Sequence, residues 1–588
     1  GVPEQQLMGQ AALASLYALK AAGILTTCER LVILCGPGNN GGDGYALACM
    51  LASGPLEGVG QSPLRIQIFA TAPPKSSAAR HYAGLAGELA GIAPEAGAGP
   101  VRVSLLGAED FLKLPADSLG PRDCVVDALL GTGQSAPPRG VIAKVLAHLQ
   151  SFQRGTNPRV VSLDLPVGLR EDAPDGDVLL PDEVHSYGVD KAALRLNPTI
   201  AAHSRIRVLP MGFLPWRTAS AARDRRQNKT DLSAADDTGP SASAPIIEET
   251  RRPWIRSLSF TGDSLPVLKN LIDKAPLAHK YQAGHGLLIG GSPGMEGALL
   301  MAARSFFAAG GGILHAVVPD PESRRFLTAT LPGVMFLDHS RPLPPDLRPG
   351  AIAVGPGLAG DDLEAAVRLL KPLFDRRAAE SAPGRIVTPT KPAGRQSPVA
   401  AQEPRPWLIL DAGALAFARD ARFPEGLRAR TILTPHTGEW KRLGGAPIDC
   451  VRALDEAADF HAREIGGYCL VKDAVSVLLG PDRTAPIGIR HRPNPALAVA
   501  GSGDNLVGIL LALFARRHGE ATSPAVPAFE RIAAALELLD RAARLEHHPR
   551  ADQFPDLIRS ALGEHADPAP ETRTPDGRTG TDPRSQVL

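Results

Sequence analysis

Short apolar runs recur along the chain. Each closes on glycine, proline or an acid and leads into a stretch of helical spacing. In the first half they fall at 31–35, 65–70, 101–105, 123–130, 159–165 and 205–209, with helical stretches such as 76–90 and 139–152 between them. Strands alternating with helices predict a parallel sheet wound on both faces. The pattern restarts with a strand at 285–290, a helix at 297–309 and a strand at 313–318. Strands at 351–355, 407–411, 431–434 and 468–472, then helices at 504–517 and 528–546, complete a second α/β half. Residues 217–250 are rich in Ala, Ser, Arg and Asp and poor in apolar residues, which predicts a disordered tether. The expected division is a first domain over 1–215, a linker over 216–254, a second domain over 255–550 and a largely disordered tail over 551–588. A Pro/Ala/Arg insertion at 377–405 interrupts the second domain, and the residues before the first strand read as a shortened helical stub.

Composition narrows the classes. A chain of 588 residues is too long for one core. A formal net charge of +1 gives no electrostatic case for nucleic acid or an anionic membrane. The six cysteines, at 28, 35, 49, 124, 450 and 469, form no CxxC pair, and several sit in apolar runs, as reduced thiols of a cytosolic protein do. No apolar stretch reaches the length of a membrane span and no signal peptide is visible. The first residue is Gly rather than Met, which reads as a trimmed start.

The richest segment is Gly36-Pro37-Gly38-Asn39-Asn40-Gly41-Gly42-Asp43-Gly44, set between a strand and a helix. A glycine turn at a helix start makes an anion site from free backbone N–H groups. A dinucleotide fingerprint would need an acid at the end of the next strand, but 65–70 runs on into Thr71-Ala72-Pro73-Pro74. Two further acids stand at strand ends, Asp127 in VVDALLGTG and Asp164 in SLDLPVG. In an open parallel sheet ligands bind beyond the carboxyl ends of strands, so Asn40, Asp43, Asp127 and Asp164 are expected to converge on one crevice. Taken singly, each strand-end Asp could equally cap the next helix.

These three motifs resemble the NAD(P)HX epimerase domain over about residues 1–212. The resemblance implies a Rossmann-like three-layer sandwich that interconverts the R and S epimers of hydrated NAD(P)H. It implies that Asn39, Asn40, Gly41, Gly42 and Asp43, with Gly131, Thr132, Gly133, Gln134, Ser135, Ala136 and Asp164, hold the hydrated nucleotide. Asn40 and Asp127 would be potassium ligands, oxygen donors suited to a hard cation. Val167 stands where the family usually has a third ligand, Ser. Asp127 or Asp164 is the natural proton carrier for epimerisation at a carbon bearing both hydroxyl and nitrogen.

The second half offers GGSPGMEGA at 290–298, Gly355-Pro356-Gly357, Asp411-Ala412-Gly413, Thr434-Pro435-His436-Thr437-Gly438-Glu439 and Gly501-Ser502-Gly503-Asp504. A lone GSGD is an Asp cap after a turn. An Asp held in a helix start beside phosphates also suits a general base. The ordered set resembles the ADP-dependent NAD(P)HX dehydratase domain, a ribokinase-like α/β fold, over about residues 255–548. The resemblance implies that Ala298, Gly357 and His436 contact the hydrated nucleotide and that Lys472, Asp473, Ala474, Val475, Ser476 and Gly503 hold ADP or ATP. Asp504 would be catalytic and Mg2+ would offset the phosphate charge. Asp473 replaces a usual Gly, and Gly413 a usual Asp.

The combined reading is a cytosolic bifunctional repair enzyme for NADH and NADPH hydrates, using ADP or ATP, Mg2+ and K+. It implies a homo-oligomer with no nucleic-acid or membrane partner. The alternative is a ribokinase-like small-molecule kinase with a non-catalytic nucleotide-binding N-terminal domain.

Overall fold

The computed structural model describes residues 2–53, 64–92, 101–115, 117–172, 177–211, 255–257, 283–380, 405–490, 492–516 and 527–563. The linker expected at 216–254, positions 381–404 of the insertion and residues 564–588 of the tail lie outside them. The chain divides into two compact units, the first of Gly1–Ser259, His436–Gly466 and Val471–Pro493, the second of Phe260–Pro435, Gly467–Leu470 and Asn494–Leu588.

The first unit is built on β1 (Arg30–Cys35), β2 (Leu64–Ala70), β3 (Val101–Gly107), β4 (Asp123–Ala128), β5 (Arg159–Leu163), β6 (Glu183–Tyr187) and β7 (Arg205–Leu209). Their order is β3-β2-β1-β4-β5-β6-β7, and every pairing is parallel. The chain winds outward from β1 in one direction, then restarts at β4 on its other side. The switch point between β1 and β4 is where such sheets bind ligands. Leu31 to Cys35 are wholly buried, as a central parallel strand covered on both faces requires. One face packs on the helix Asn39–Ser53 and on α1 (Glu4–Ala21), the other on Phe111, Leu149 and Phe152.

The expected stub is therefore an 18-residue helix. Met8, Ala11, Ala12, Ser15, Ala18 and Leu19 recur at helical spacing and form its buried face. Small residues on that face let α1 sit close to the helix Asn39–Ser53, and they also hid its amphipathic pattern. A short strand, β8 (Ile255–Ser257), also belongs to this unit.

In the second unit β9 (His285–Ile289), β10 (Ile313–Val318), β11 (Val334–Asp338), β12 (Ala351–Val354), β13 (Trp407–Leu410), β14 (Thr431–Leu433) and β15 (Tyr468–Val471) run in the order β11-β10-β9-β12-β13-β14-β15. These pairings too are all parallel. The helix Ser502–Ala515 is buried all along from Asn505 and packs on the helix Glu296–Ala308. Asn505 fixes its start: Oδ1 accepts from Ser305 Oγ at 2.6 Å, and Nδ2 donates to Gly501 O and Ala551 O, each at 2.9 Å. Residues 551–563 are correspondingly ordered, which corrects the tail boundary at 551. A short 3-10 turn leads into the helix Phe554–Gly563, which buries Phe554, Ile558 and Ala561. Back in the first unit, β16 (Ser476–Leu479) and β17 (Ile487–Arg490) pair antiparallel, and β17 lies parallel to β8.

Candidate active sites

A cavity of about 690 Å3 opens at the carboxyl ends of β1 and β4, at the predicted switch point. Its walls include Asn39, Asn40, Asp43, Gly131, Thr132, Gly133 and Asp164 from the sequence reading. The loop at its base is an interlock. A Cβ on Gly41 would run into the carbonyl oxygen of Gly36, and one on Gly36 into that of Leu129, so both positions require glycine. Gly38 has open space beside it.

Of the acids that line the cavity, Asp164 and Asp43 have different surroundings. Asp164 takes the left-handed region at φ 66°. Its Oδ2 accepts from Thr132 N–H at 3.0 Å, and its Oδ1 pairs with Lys191 Nζ at 2.8 Å. Asp43 has no hydrogen-bond donor among the described residues. Burial, reinforced by the charge of Asp164, pushes its carboxyl well above the ordinary range. The pair thus presents one carboxylate held by a cation beside one carboxyl biased to keep its proton.

Asp127 lies beneath the cavity rather than in its wall, wholly buried. Its oxygens accept from Leu129 N–H at 3.1 Å, Ser162 Oγ at 2.9 Å and Val167 N–H at 2.9 Å. Burial outweighs those bonds and pushes it up to about 6. Val167 offers no side-chain oxygen; its side chain is packed in the apolar cluster with Val32, Leu34 and Phe152, and its carbonyl accepts from Leu179 N–H. Gln134 is a clasp, donating to Pro166 O at 3.2 Å and accepting from Gly168 N–H at 2.7 Å. Gly41, Gly42, Ser135 and Ala136 are likewise not in the wall. Asn40 donates to Leu130 O at 2.9 Å, whereas its Oδ1 is buried with no hydrogen-bond partner among the described residues.

Sequence reasoning missed Glu4, Met8, Lys75, Tyr187 and Lys191. The first four line the cavity, and Glu4 Oε1 accepts from Asn39 Nδ2 at 2.6 Å. Lys191 carried no local motif. Only the fold brings it to Asp164.

In the second unit Ala298 and Gly357 adjoin, since a Cβ on Gly357 would stand 3.1 Å from that of Ala298. Ser292 ties the two loops together, its N–H donating to Gly357 O at 2.7 Å and its Oγ accepting from Ala359 N–H at 2.9 Å. Gly503 and Asp504 occupy the first turn of Ser502–Ala515, behind left-handed Gly501. Free N–H groups and the helix dipole make that turn favourable to anions.

His436 and Lys472 to Ser476 belong to the first unit, where His436 and Lys472 are bridge partners. The His436 Nδ1 accepts from Gly438 N–H at 3.0 Å and Glu439 N–H at 3.3 Å, while Glu439 Oε2 accepts from His436 N–H at 2.9 Å. This capping box fixes the ring at the start of Thr437–Arg442, with Nε2 standing 3.5 Å from Glu439 Oε1. Asp473 turns on its own loop: Oδ1 accepts from Ala474 N–H at 2.7 Å, and the Ser476 hydroxyl donates to Asp473 O at 3.1 Å. Asp473 and Val475 line a cavity of about 340 Å3 with Thr437, Gly438 and Trp440.

Comparison with known proteins covers both halves. A family model described as YjeF-related protein N-terminus matches residues 4–193, and one described as NAD(P)H-hydrate dehydratase matches residues 393–553. The Bifunctional NAD(P)H-hydrate repair enzyme Nnr of Salinibacter ruber is 30% identical over 545 residues, covering 90% of this chain and 86% of that one. The protein of the same name from Moorella thermoacetica is 29% identical over 519 residues, covering 85% and 81%. A Bacillus subtilis ADP/ATP-dependent NAD(P)H-hydrate dehydratase, co-crystallised with ATP and Mg2+, is 22% identical, with a TM-score of 0.39 over 53% of this chain and 99% of that one.

Proposed function

Because this chain belongs to the family of bifunctional NAD(P)H-hydrate repair enzymes, we propose that it divides one repair between two sites. The first unit's cavity epimerises hydrated NADH or NADPH. The second site dehydrates the S epimer with an adenine nucleotide as phosphoryl donor. The observation that carries the first assignment is the Asp43–Asp164 pair at the switch-point crevice. Epimerisation at a carbon bearing hydroxyl and nitrogen needs a group that gives a proton and one that takes it. Burial biases Asp43 to keep its proton, while Asp164 is paired with Lys191. Asp127 is assigned to support: it holds the Asp164 loop through Val167 N–H.

For the second site, Ala298, Gly357 and His436 are assigned to the hydrated nucleotide. Lys472 to Ser476 and Gly503 are assigned to ADP or ATP, and Asp504 is the base on the hydroxyl to be phosphorylated. Phosphorylation converts hydroxide into a good leaving group. Support comes from the anion-favouring helix start and from the adjoining Ala298 and Gly357 loops. Mg2+ would supply charge neutralisation at the phosphates. Potassium would be held by Asn40 Oδ1, an orphaned buried amide oxygen, with Asp127 as the second assigned ligand, and would offset carboxylate charge. The assigned division is an epimerase domain to about 215 and a dehydratase domain from about 255.

Six free cysteines, five of them buried, support a reducing compartment such as the cytoplasm. Among the described residues no helix is long and apolar enough to cross a membrane. A homo-oligomer remains part of the proposal.

The deciding experiment uses the full chain and chemically hydrated NADH. Absorbance at the NADH band should return only with ADP or ATP, for the S epimer directly and for the R epimer at a rate above spontaneous epimerisation. A stable phosphorylated product without NADH would favour the kinase alternative.

A further inference from the structure

The strand β6 reads Glu183-Val184-His185-Ser186-Tyr187. Alternation puts Glu183, His185 and Tyr187 on one face, where a central parallel strand would ordinarily carry apolar residues. Glu183 and His185 are buried, as is Ser15 of α1, which joins them. A continuous hydrogen-bond chain results. Tyr187 OH lies 2.8 Å from Ser15 Oγ, Ser15 Oγ lies 3.1 Å from His185 Nδ1, and His185 Nε2 lies 3.0 Å from Glu183 Oε1. Arg207 Nε donates to the same Glu183 oxygen. One end of the chain is an ion pair and the other is a phenol in the wall of the first cavity, beside Asp43 and Asp164.

Packing alone does not account for this row. Burying hydroxyl, imidazole and carboxylate in one line costs more than burying apolar residues of equal volume, unless every member is satisfied. Here each member is satisfied, and the row points at the cavity. Burial alone would raise Glu183, but the bonds from His185 and Arg207 hold it below the usual carboxylate range. As an anion it accepts Nε2–H from His185, which leaves Nδ1 to accept from Ser15. Ser15 in turn accepts from Tyr187. The Tyr187 oxygen then faces the cavity as a hydrogen-bond acceptor. If His185 takes a proton on Nδ1, the bonds from His185 to Ser15 and from Ser15 to Tyr187 reverse, the Nε2–H bond to Glu183 stays, and Tyr187 becomes a donor to the cavity.

We infer that Tyr187 is a catalytic residue of the epimerase site and that Ser15, His185 and Glu183 are positioning residues forming a proton relay behind it. The inference rests on the epimerase reading of the first cavity. The step balances without a co-reactant. The hydroxyl proton of the hydrated ring passes to Tyr187 oxygen as the Tyr187 proton moves to Ser15 and the Ser15 proton to His185 Nδ1. The substrate C–O bond becomes a carbonyl, the carbon–nitrogen bond breaks, and its electron pair goes to the ring nitrogen. After rotation the nitrogen adds to the other face of the carbonyl. The oxygen regains its proton from Tyr187 and the relay resets. The chain thereby moves charge to a site beside Glu183 and Arg207 without admitting water.

The test is R-to-S conversion by the full chain, read as R-dependent NADH return in the presence of ADP, for wild type, Tyr187→Phe and Ser15→Ala. Calorimetric binding of the R epimer serves as a fold control for the first cavity, and dehydration of the S epimer shows that the coupling reaction is intact. Tyr187→Phe should lower kcat by about a hundredfold and Ser15→Ala by about tenfold. KM and the calorimetric affinity for the R epimer should be nearly unchanged, and a multi-proton solvent isotope effect should be lost in Ser15→Ala. A wild-type rate no better than spontaneous overturns the epimerase reading itself. An active wild type with both variants within twofold of it overturns the relay, as does a loss that appears wholly in KM. Should Tyr187→Phe fail the fold control, Ser15→Ala decides alone, because it removes one oxygen and keeps the helix.

Discussion

Lys191 Nζ stands 2.8 Å from Asp164 Oδ1, and both side chains are largely buried. The lysine also donates to Ser186 Oγ and Tyr187 O, so it ties the end of β6 to the acid. Asp43, close enough for Asp164 to raise its proton affinity, has no such cation among the described residues. Lys191→Met should leave Asp164 uncompensated. A loss of about 3 kcal/mol in stability and at least a tenfold loss in R-to-S conversion are expected. Denaturant unfolding and the coupled assay measure the two.

The glycine interlock gives a sharper contrast. Gly41→Ala should prevent the loop from closing, because a backbone carbonyl stands in the way and cannot move aside. Gly38→Ala, with open space where the new Cβ would stand, should fold normally. Thermal melting of the two variants should differ by well over 10 °C, since several kcal/mol separate them.

Asp127 predicts a pH effect. Its folded value near 6 lies above the ordinary 3.8, so the folded state binds the proton more tightly. The associated stabilisation is full below about pH 4 and is lost as the pH rises through about 6. The stability of wild type relative to Asp127→Asn should therefore fall by about 3 kcal/mol between pH 4 and pH 7. Parallel unfolding curves at both pH values would contradict the burial argument.

In the second unit Asp504→Asn should abolish NADH return from the S epimer at saturating ADP while leaving the melting temperature within a few degrees. Asn505→Ala should do the reverse first: it removes the bonds to Ser305, Gly501 and Ala551 at a wholly buried position. A loss of about 3 kcal/mol is expected, with activity surviving at low temperature.

Much of this fold was legible because its central strands are continuous apolar runs bounded by glycine or acid, and such runs have few other uses. Asn40, Asp43 and Asp164 were legible as the lining of one crevice because strand ends in a doubly wound sheet converge. Three things were not. α1 presents small residues rather than large ones, so its spacing at Met8, Ala12, Ser15 and Leu19 read as a stub. The helix Phe554–Gly563 carries its apolar residues amid proline and aspartate. Lys191 and Ser15 gain their roles from partners distant in sequence, which no local pattern encodes. Asp127 was placed at the right strand end, but its oxygens are spent on Leu129, Ser162 and Val167, which only the folded loop reveals.

The bond between Ser15 and Tyr187 joins residues 172 apart in sequence. During synthesis, α1 leaves the ribosome first and must wait for β6, the next-to-last strand of its sheet, before its hydroxyl finds a partner. One wall of the first cavity therefore exists only after six of the seven strands of that sheet have been made. A nascent chain carries a helix with an unfilled polar notch through most of that interval, so the Ser15 side of the first cavity closes later in synthesis than the glycine loop beside it.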